Sequence, residues 1–166
     1  MFFTCLLFHF AGVYEFTIKD INNNDLPLSS FRGKKILIVN IATESKYADQ
    51  LKSLDSLALQ YKDSLVIVAC PSNSFGNENK SGPEILDYIN QNQTAHFLIS
   101  EKMDLSTETM EPLFDWLTHA SKNGALDCTL NGDFYKFLID NSGNLIGVFS
   151  PSVNPLSNEL QSALIN

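Results

Sequence analysis

Two uninterrupted runs of aliphatic and β-branched residues constrain this chain most: Lys35–Ile41 (K-I-L-I-V-N-I) and Leu65–Ala69 (L-V-I-V-A). Neither alternates apolar with polar residues, so neither suits a strand with one wet face. Both suit strands buried on two sides, as in a parallel sheet. Between them, Lys46–Tyr61 places Tyr47, Leu51, Leu54, Leu57, Ala58 and Tyr61 at helical spacing. Strand, helix, strand is a parallel crossover unit, which needs helices to cover the sheet.

The flanking segments extend this pattern. Val13–Ile18 alternates and predicts a short strand, and Leu26-Pro27-Leu28 continues an extended edge after the turn at Asn22–Asp25. Ser29–Gly33 reads as a turn or a single helical turn, and Cys70–Gly76 as a loop. Gly82-Pro83 opens a helix to about Asn90, and Phe97–Ile99 is a short extended piece. Glu111–His119 is helical, with Leu113, Trp116 and Leu117 on one face, and Asn123-Gly124 ends it. Phe134–Asp140 and Leu145–Ser150 flank Asn-Ser-Gly-Asn, a hairpin signal. Leu156–Ile165 closes the chain as a helix. Two parallel β-α-β steps, an antiparallel pair and a packing helix predict an α/β, thioredoxin-like mixed sheet flanked by helices.

At 166 residues the chain is long enough for one core. Its charge of −8 disfavours nucleic acid and anionic membranes as partners. Cysteines at 5, 70 and 128 are too few and too scattered for a disulfide framework, although a Cys70–Cys128 pair would form if their Cα atoms lay within about 7 Å. His9, His96 and His119 have no metal-ligand spacing, and no cofactor motif is present. The domain is expected over 13–166, preceded by an apolar segment, 1–12. That segment resembles the end of a secretion signal without its positive region, or else an edge strand. The first reading places the protein outside the cytoplasm and the second does not, and no membrane span is expected from its length.

Several motifs, in order, resemble the glutathione peroxidase family. Tyr14-x-Phe16, Lys19-Asp20-Ile21, Leu28-Ser29 and Phe31-x-Gly33-Lys34 are similar to its opening. Ile36–Ala42 resembles its first central strand, Cys70-Pro71-Ser72-Asn73-Ser74-Phe75-Gly76 its second catalytic loop, and Lys136–Asp140 with Gly143 and Phe149-x-Pro151 its last hairpin. The resemblance runs from about residue 13 to the C-terminus. It implies a fold of the thioredoxin type and hydroperoxide reduction by a selenolate or thiolate, restored by glutathione or a thioredoxin.

The same resemblance locates the expected site residues. In Asn40-Ile41-Ala42-Thr43-Glu44-Ser45-Lys46, Ser45 stands at the position of the family's nucleophile. Ser74 stands at the position of its Gln, and Gly132-Asp133 at that of its Trp-Asn pair; a shifted alignment uses Leu130-Asn131 instead. Near Asn90, where thioredoxin-dependent members carry a resolving cysteine, there is none. A serine hydroxyl is un-ionised at neutral pH and does not enter the cysteine oxidation ladder. The resemblance therefore implies a degenerate site in a binding homologue. The alternative is residual thiol-dependent peroxidase chemistry through Cys70 or Cys128. A serine hydrolase finds no support, since no G-x-S-x-G elbow exists. Ser45, Ser74 and Gly132-Asp133 are expected to converge at one end of the sheet.

Overall fold

The computed structural model describes residues 12–92 and 95–165. Of the apolar segment 1–12, read above as a signal remnant or an edge strand, residues 1–11 lie outside the described residues, Cys5 and His9 among them. Among the described residues there are seven strands: β1 (Thr17–Lys19), β2 (Asp25–Pro27), β3 (Lys35–Ile41), β4 (Leu65–Pro71), β5 (Leu98–Ile99), β6 (Lys136–Ile139) and β7 (Leu145–Phe149). The helices are α1 (Gln50–Gln60), α2 (Gly82–Asn92), α3 (Pro112–Thr118), α4 (Ala120–Asn123) and α5 (Asn158–Ile165).

Strands β3 to β7 form one sheet in the order β5-β4-β3-β6-β7, and β1 and β2 form a separate hairpin. β3 pairs in parallel with β4 from Lys35↔Leu65 to Ile41↔Pro71, and antiparallel with β6 on its other side. The uninterrupted apolar runs follow from this central position. Leu37, Val39 and Ile41 enter one core with Leu65, Ile67 and Ala69, beneath α1, α2 and α5. Ile36 and Ile38 enter the opposite core with Val68 and Cys70, beneath Leu113, Phe114, Trp116 and Leu117 of α3. A period of two on a strand with both faces covered gives an unbroken apolar sequence.

Local chemistry fixes the helix ends. Glu84 accepts from the Ser81 N–H at 2.8 Å and from its hydroxyl at 2.7 Å, starting α2. Lys35 Nζ donates to the Ala163 and Leu164 carbonyls at 3.1 and 2.9 Å, ending α5. Gly124, at φ 72°, ends α4 in the left-handed conformation that glycine adopts without strain.

The structure corrects several expectations. The strand expected over Phe134–Asp140 spans only Lys136–Ile139, since Phe134 has a left-handed backbone outside the ladder, and the last helix begins at Asn158 rather than Leu156. Val13–Glu15 is a 3-10 turn rather than strand, because Val13 and Tyr14 are both drawn into the core, and the strand begins only at Thr17. The helix expected through His119 breaks there, where the backbone is extended (φ −123°, ψ 115°), giving α3 and α4. β4 runs on through Cys70 to Pro71, taking two residues from the expected loop, since both stay paired with β3.

Candidate functional site

The sheet topology gathers three loops. Parallel β3 and β4 end at Ile41 and Pro71, side by side. β6 is antiparallel to β3, so it begins at this same end, with Lys136 opposite Val39. The segments after β3, after β4 and before β6 therefore meet at one rim, where open α/β sheets hold ligands. The end of β7 lies there too, since Phe149 pairs with Lys136.

A depression of about 600 Å³ opens at this rim. Ser45, Asn131, Gly132 and Asp133 all line it, together with Tyr47, Phe75 and Asn77. Ser74 does not line it. Its hydroxyl accepts the Leu105 N–H at 2.8 Å and donates to Asp104 at 3.3 Å, so it serves the loop before α3. Asp104 is itself held down to about 2 by hydrogen bonds from Ser106 and Thr109. Neither histidine within the described residues reaches the depression: His96 faces Asp55 at 3.0 Å, and His119 faces Asp115 at 3.1 Å.

Hydrogen bonds lace the three loops together. Glu78 is fully buried and accepts the Thr43 N–H at 2.6 Å and the Thr43 hydroxyl at 2.9 Å. The Glu44 N–H donates to the Asn77 carbonyl at 3.1 Å. These contacts fix the turn carrying Ser45, a residue 9% exposed whose hydroxyl accepts the Tyr47 N–H at 3.3 Å. At the rim, Lys80 ion-pairs with Glu44 at 2.8 Å, and this hydrogen bond holds the Glu44 carboxyl below its ordinary value.

Asn40, one residue from the rim end of β3, organises the third loop. Its amide donates to the Gly132 carbonyl at 3.0 Å, and its side-chain oxygen accepts the Tyr135 N–H at 2.8 Å. Its own carbonyl accepts the Phe134 N–H at 2.6 Å. This clamp holds Phe134 at φ 67°, a left-handed conformation that a bulky residue keeps only under such support. Phe134 is fully buried beneath the depression, its ring 6.4 Å from that of Tyr47. Next to it, Asp133 is 3% exposed. One carboxylate oxygen accepts the Asn77 amide at 2.8 Å, and the other, Oδ1, has no hydrogen-bond partner among the described residues.

Lys136 lies under the third loop, fully buried. Its ammonium donates to the Phe134 carbonyl at 2.9 Å and to the Ser150 and Pro151 carbonyls at 3.4 Å, and burial pushes its pKa down to about 7. Cys70 and Cys128 are both free thiols. Cys70 is fully buried, and burial pushes its thiol up to about 12; burial also raises that of Cys128, which is half-buried. Among the described residues, no group of three or more His, Cys, Asp or Glu is placed to hold a metal ion. No helix there is long and apolar enough to cross a membrane.

Sequence reasoning did not find Asn77, Glu78 or Tyr47 as site residues. Glu78 meets Thr43 across 35 positions and Asn77 meets Asp133 across 56. No local periodicity marks such pairs. The one available signal was general: side chains in loops that follow adjacent parallel strands gather at one rim.

A five-stranded mixed sheet covered by helices on both faces, with its loops gathered at one end, defines a thioredoxin-like domain. The fold is shared by the crystal structure of a thioredoxin-family thiol:disulfide interchange protein from Chlorobium tepidum (TM-score 0.67, 16% identity, 94% of this chain and 97% of that one). The crystal structure of Trgpx in its apo form superposes with a TM-score of 0.71 at 26% identity, covering 93% and 94% of the two chains. The profile of the family described as Glutathione peroxidase matches residues 13–118. A glutathione peroxidase homolog of Staphylococcus epidermidis is 36% identical over 146 residues, 87% of this chain and 92% of that one. Glutathione peroxidase 1 of Helianthus annuus is 32% identical over 150 residues, 89% of each. The chain belongs to the glutathione peroxidase family.

Proposed function

We propose that this member of the family is a binding homologue: it holds a small ligand in the rim depression and does not turn over hydroperoxide. The observation that carries the reading is that, among the described residues, a serine and no thiol lines the rim depression. Ser45 occupies the position that the family resemblance assigns to the nucleophile, and its hydroxyl has one weak donor, the Tyr47 N–H. A peroxidatic group must be a soft anion near neutral pH. The carboxylate of Asp133 lines the same depression and opposes any anion formed there.

The thiol route through Cys70 or Cys128 is disfavoured on the same physical ground. Cys70 is sealed in the core on the α3 face of the sheet with its thiol near 12, so its thiolate population at pH 7 is on the order of one in 10⁵. Cys128 is raised as well and does not line the depression. Glutathione and thioredoxin, the reductants that the family uses, are partners only under that alternative.

The test is hydrogen peroxide and organic hydroperoxide consumption with glutathione or with thioredoxin and its reductase, alongside intact mass after peroxide treatment. No turnover and no added oxygen at a cysteine are expected. Turnover above the uncatalysed rate, or one oxygen mapped to Cys70 or Cys128 together with reductant consumption, overturns the reading.

A further inference from the structure

The end of the sheet opposite the rim carries a groove of about 370 Å³, where Lys34 leads into β3 and Leu65 opens β4. β5 pairs with β4 only at Val68 and Ala69, so the first half of β4 has no strand along its outer edge, and the groove follows that uncovered stretch. We infer that it is a second binding site, independent of whether the rim turns over hydroperoxide, for a single-chain carboxylate. The apolar tail lies along the uncovered part of β4, and the carboxylate meets Lys34 and Lys62.

The lining is mostly apolar, with Phe31, Leu59, Ile67, Phe97 and Leu98 contributing to it. Leu59 and Leu98, 47% and 36% exposed, are two of the five large apolar side chains left exposed among the described residues. Covering such a surface with an apolar group is favourable. The charge is equally one-sided. Acidic residues outnumber lysine and arginine by 19 to 11, yet among the described residues no Asp or Glu lines the groove, while Lys34 and Lys62 do. Lys62 is exposed, and neither lysine has a carboxylate partner among the described residues. Lys34 Nζ donates to the Lys62 carbonyl at 3.2 Å, which uses one of its three donors. His96 borders the groove, but its ring faces Asp55 at 3.0 Å, so the two lysines supply the uncompensated charge. An anionic head therefore meets accessible, charged donors, and a neutral head of the same shape gains less. The volume suits one chain of about eight carbons, and the net charge of −8 opposes docking on an anionic bilayer.

The experiment titrates the intact protein at pH 7.5 with octanoate and with octanamide, its neutral counterpart. Binding is followed by calorimetry and by amide NMR shifts of residues 65–67 and 96–98. Octanoate is expected to move these signals and to bind about fivefold more tightly than octanamide, a gap that closes towards parity in about 0.5 M sodium chloride. Hexanoate, shorter by two methylenes, is expected to bind roughly tenfold more weakly than octanoate. Lys62→Glu, at an exposed position, is expected to bring the octanoate-to-octanamide ratio to one or below, and Leu59→Glu to weaken both ligands. No octanoate binding, equal affinity of the two ligands for the unsubstituted protein at low salt, or shifts confined to the rim at Ser45 and Gly132 overturns the assignment. Co-sedimentation with phosphatidylglycerol vesicles without a response to octanoate overturns it too. Those comparisons need no variant, so a variant that fails to fold does not blunt them. Peroxide consumption is measured on the same sample. Turnover there removes the non-enzymatic reading of the rim and leaves the groove assignment standing, whereas failure to bind octanoate removes the groove assignment and leaves the rim reading standing.

Discussion

Lys136 gives the site's foundation a pH dependence that can be worked out. Its folded pKa is pushed down to about 7 by burial, against about 10.4 for an unfolded lysine. Below pH 7 both states carry the proton, and the burial cost is fully present. Between pH 7 and 10.4 the unfolded chain binds more protons, so stability rises with pH. From pH 6 to pH 9, linkage through this one group raises the unfolding free energy by about 2.6 kcal/mol. Lys136→Met removes that contribution and also leaves the Phe134, Ser150 and Pro151 carbonyls without their donor, a cost of roughly 1–3 kcal/mol at every pH. Urea unfolding of both proteins at pH 6, 7.5 and 9 cancels the other titrating groups. The variant is expected to be the less stable at pH 9, with the difference moving in its favour by about 2.6 kcal/mol on going to pH 6. Parallel stability curves for the two proteins would refute the reasoning, because they would mean that the three carbonyls keep the ammonium charged throughout.

Three further outcomes are expected. Ser45→Cys alone places a thiol with an ordinary or raised pKa at the rim; at an ordinary 8.5 only about 3% is thiolate at pH 7, so stopped-flow oxidation by peroxide stays slow. Adding Gly132→Trp and Asp133→Asn accelerates it, and fast reaction of the single variant contradicts this account. Glu78→Gln loses one buried acceptor for Thr43 and lowers stability by about 1–3 kcal/mol, read as a lower urea midpoint, with amide NMR shifts concentrated at residues 43–47. Gly143→Ala forces a Cβ to 2.6 Å from the Tyr14 ring at a φ of 96° and lowers stability by roughly 2 kcal/mol or more; an unchanged thermal midpoint refutes it.

The central sheet was legible because its signal is strong and local. A strand covered on both faces writes an unbroken apolar run, and both runs start where the sequence pattern starts them. The rim was legible in outline, since topology alone brings Ser45 and Asp133 together. Orientation within the rim was not. Ser74 sits on the expected loop, yet its hydroxyl bonds the Leu105 N–H and the Asp104 carboxylate, 31 and 30 positions away. Likewise Val13 and Tyr14 have strand-like chemistry, but the pull of the core and the hydrogen bond from the Val13 N–H to the Gly143 carbonyl curl them into a 3-10 turn. Such outcomes depend on partners distant in the chain, which sequence periodicity does not encode.

The clamp that Asn40 makes with residues 132–135 also has a consequence during synthesis. Its bonds join positions 92 and 95 apart, and the loop they hold precedes the strand that docks against β3. Contacts of such long range form late, because closing a large loop is entropically costly until other structure has drawn its ends together. The first two loops can assemble on the parallel pair alone, but the wall carrying Asp133 and the space beside Gly132 exist only once the C-terminal hairpin has been made and added. A chain emerging from the ribosome therefore lacks the third wall of the rim depression until roughly its last fifth has been made and docked.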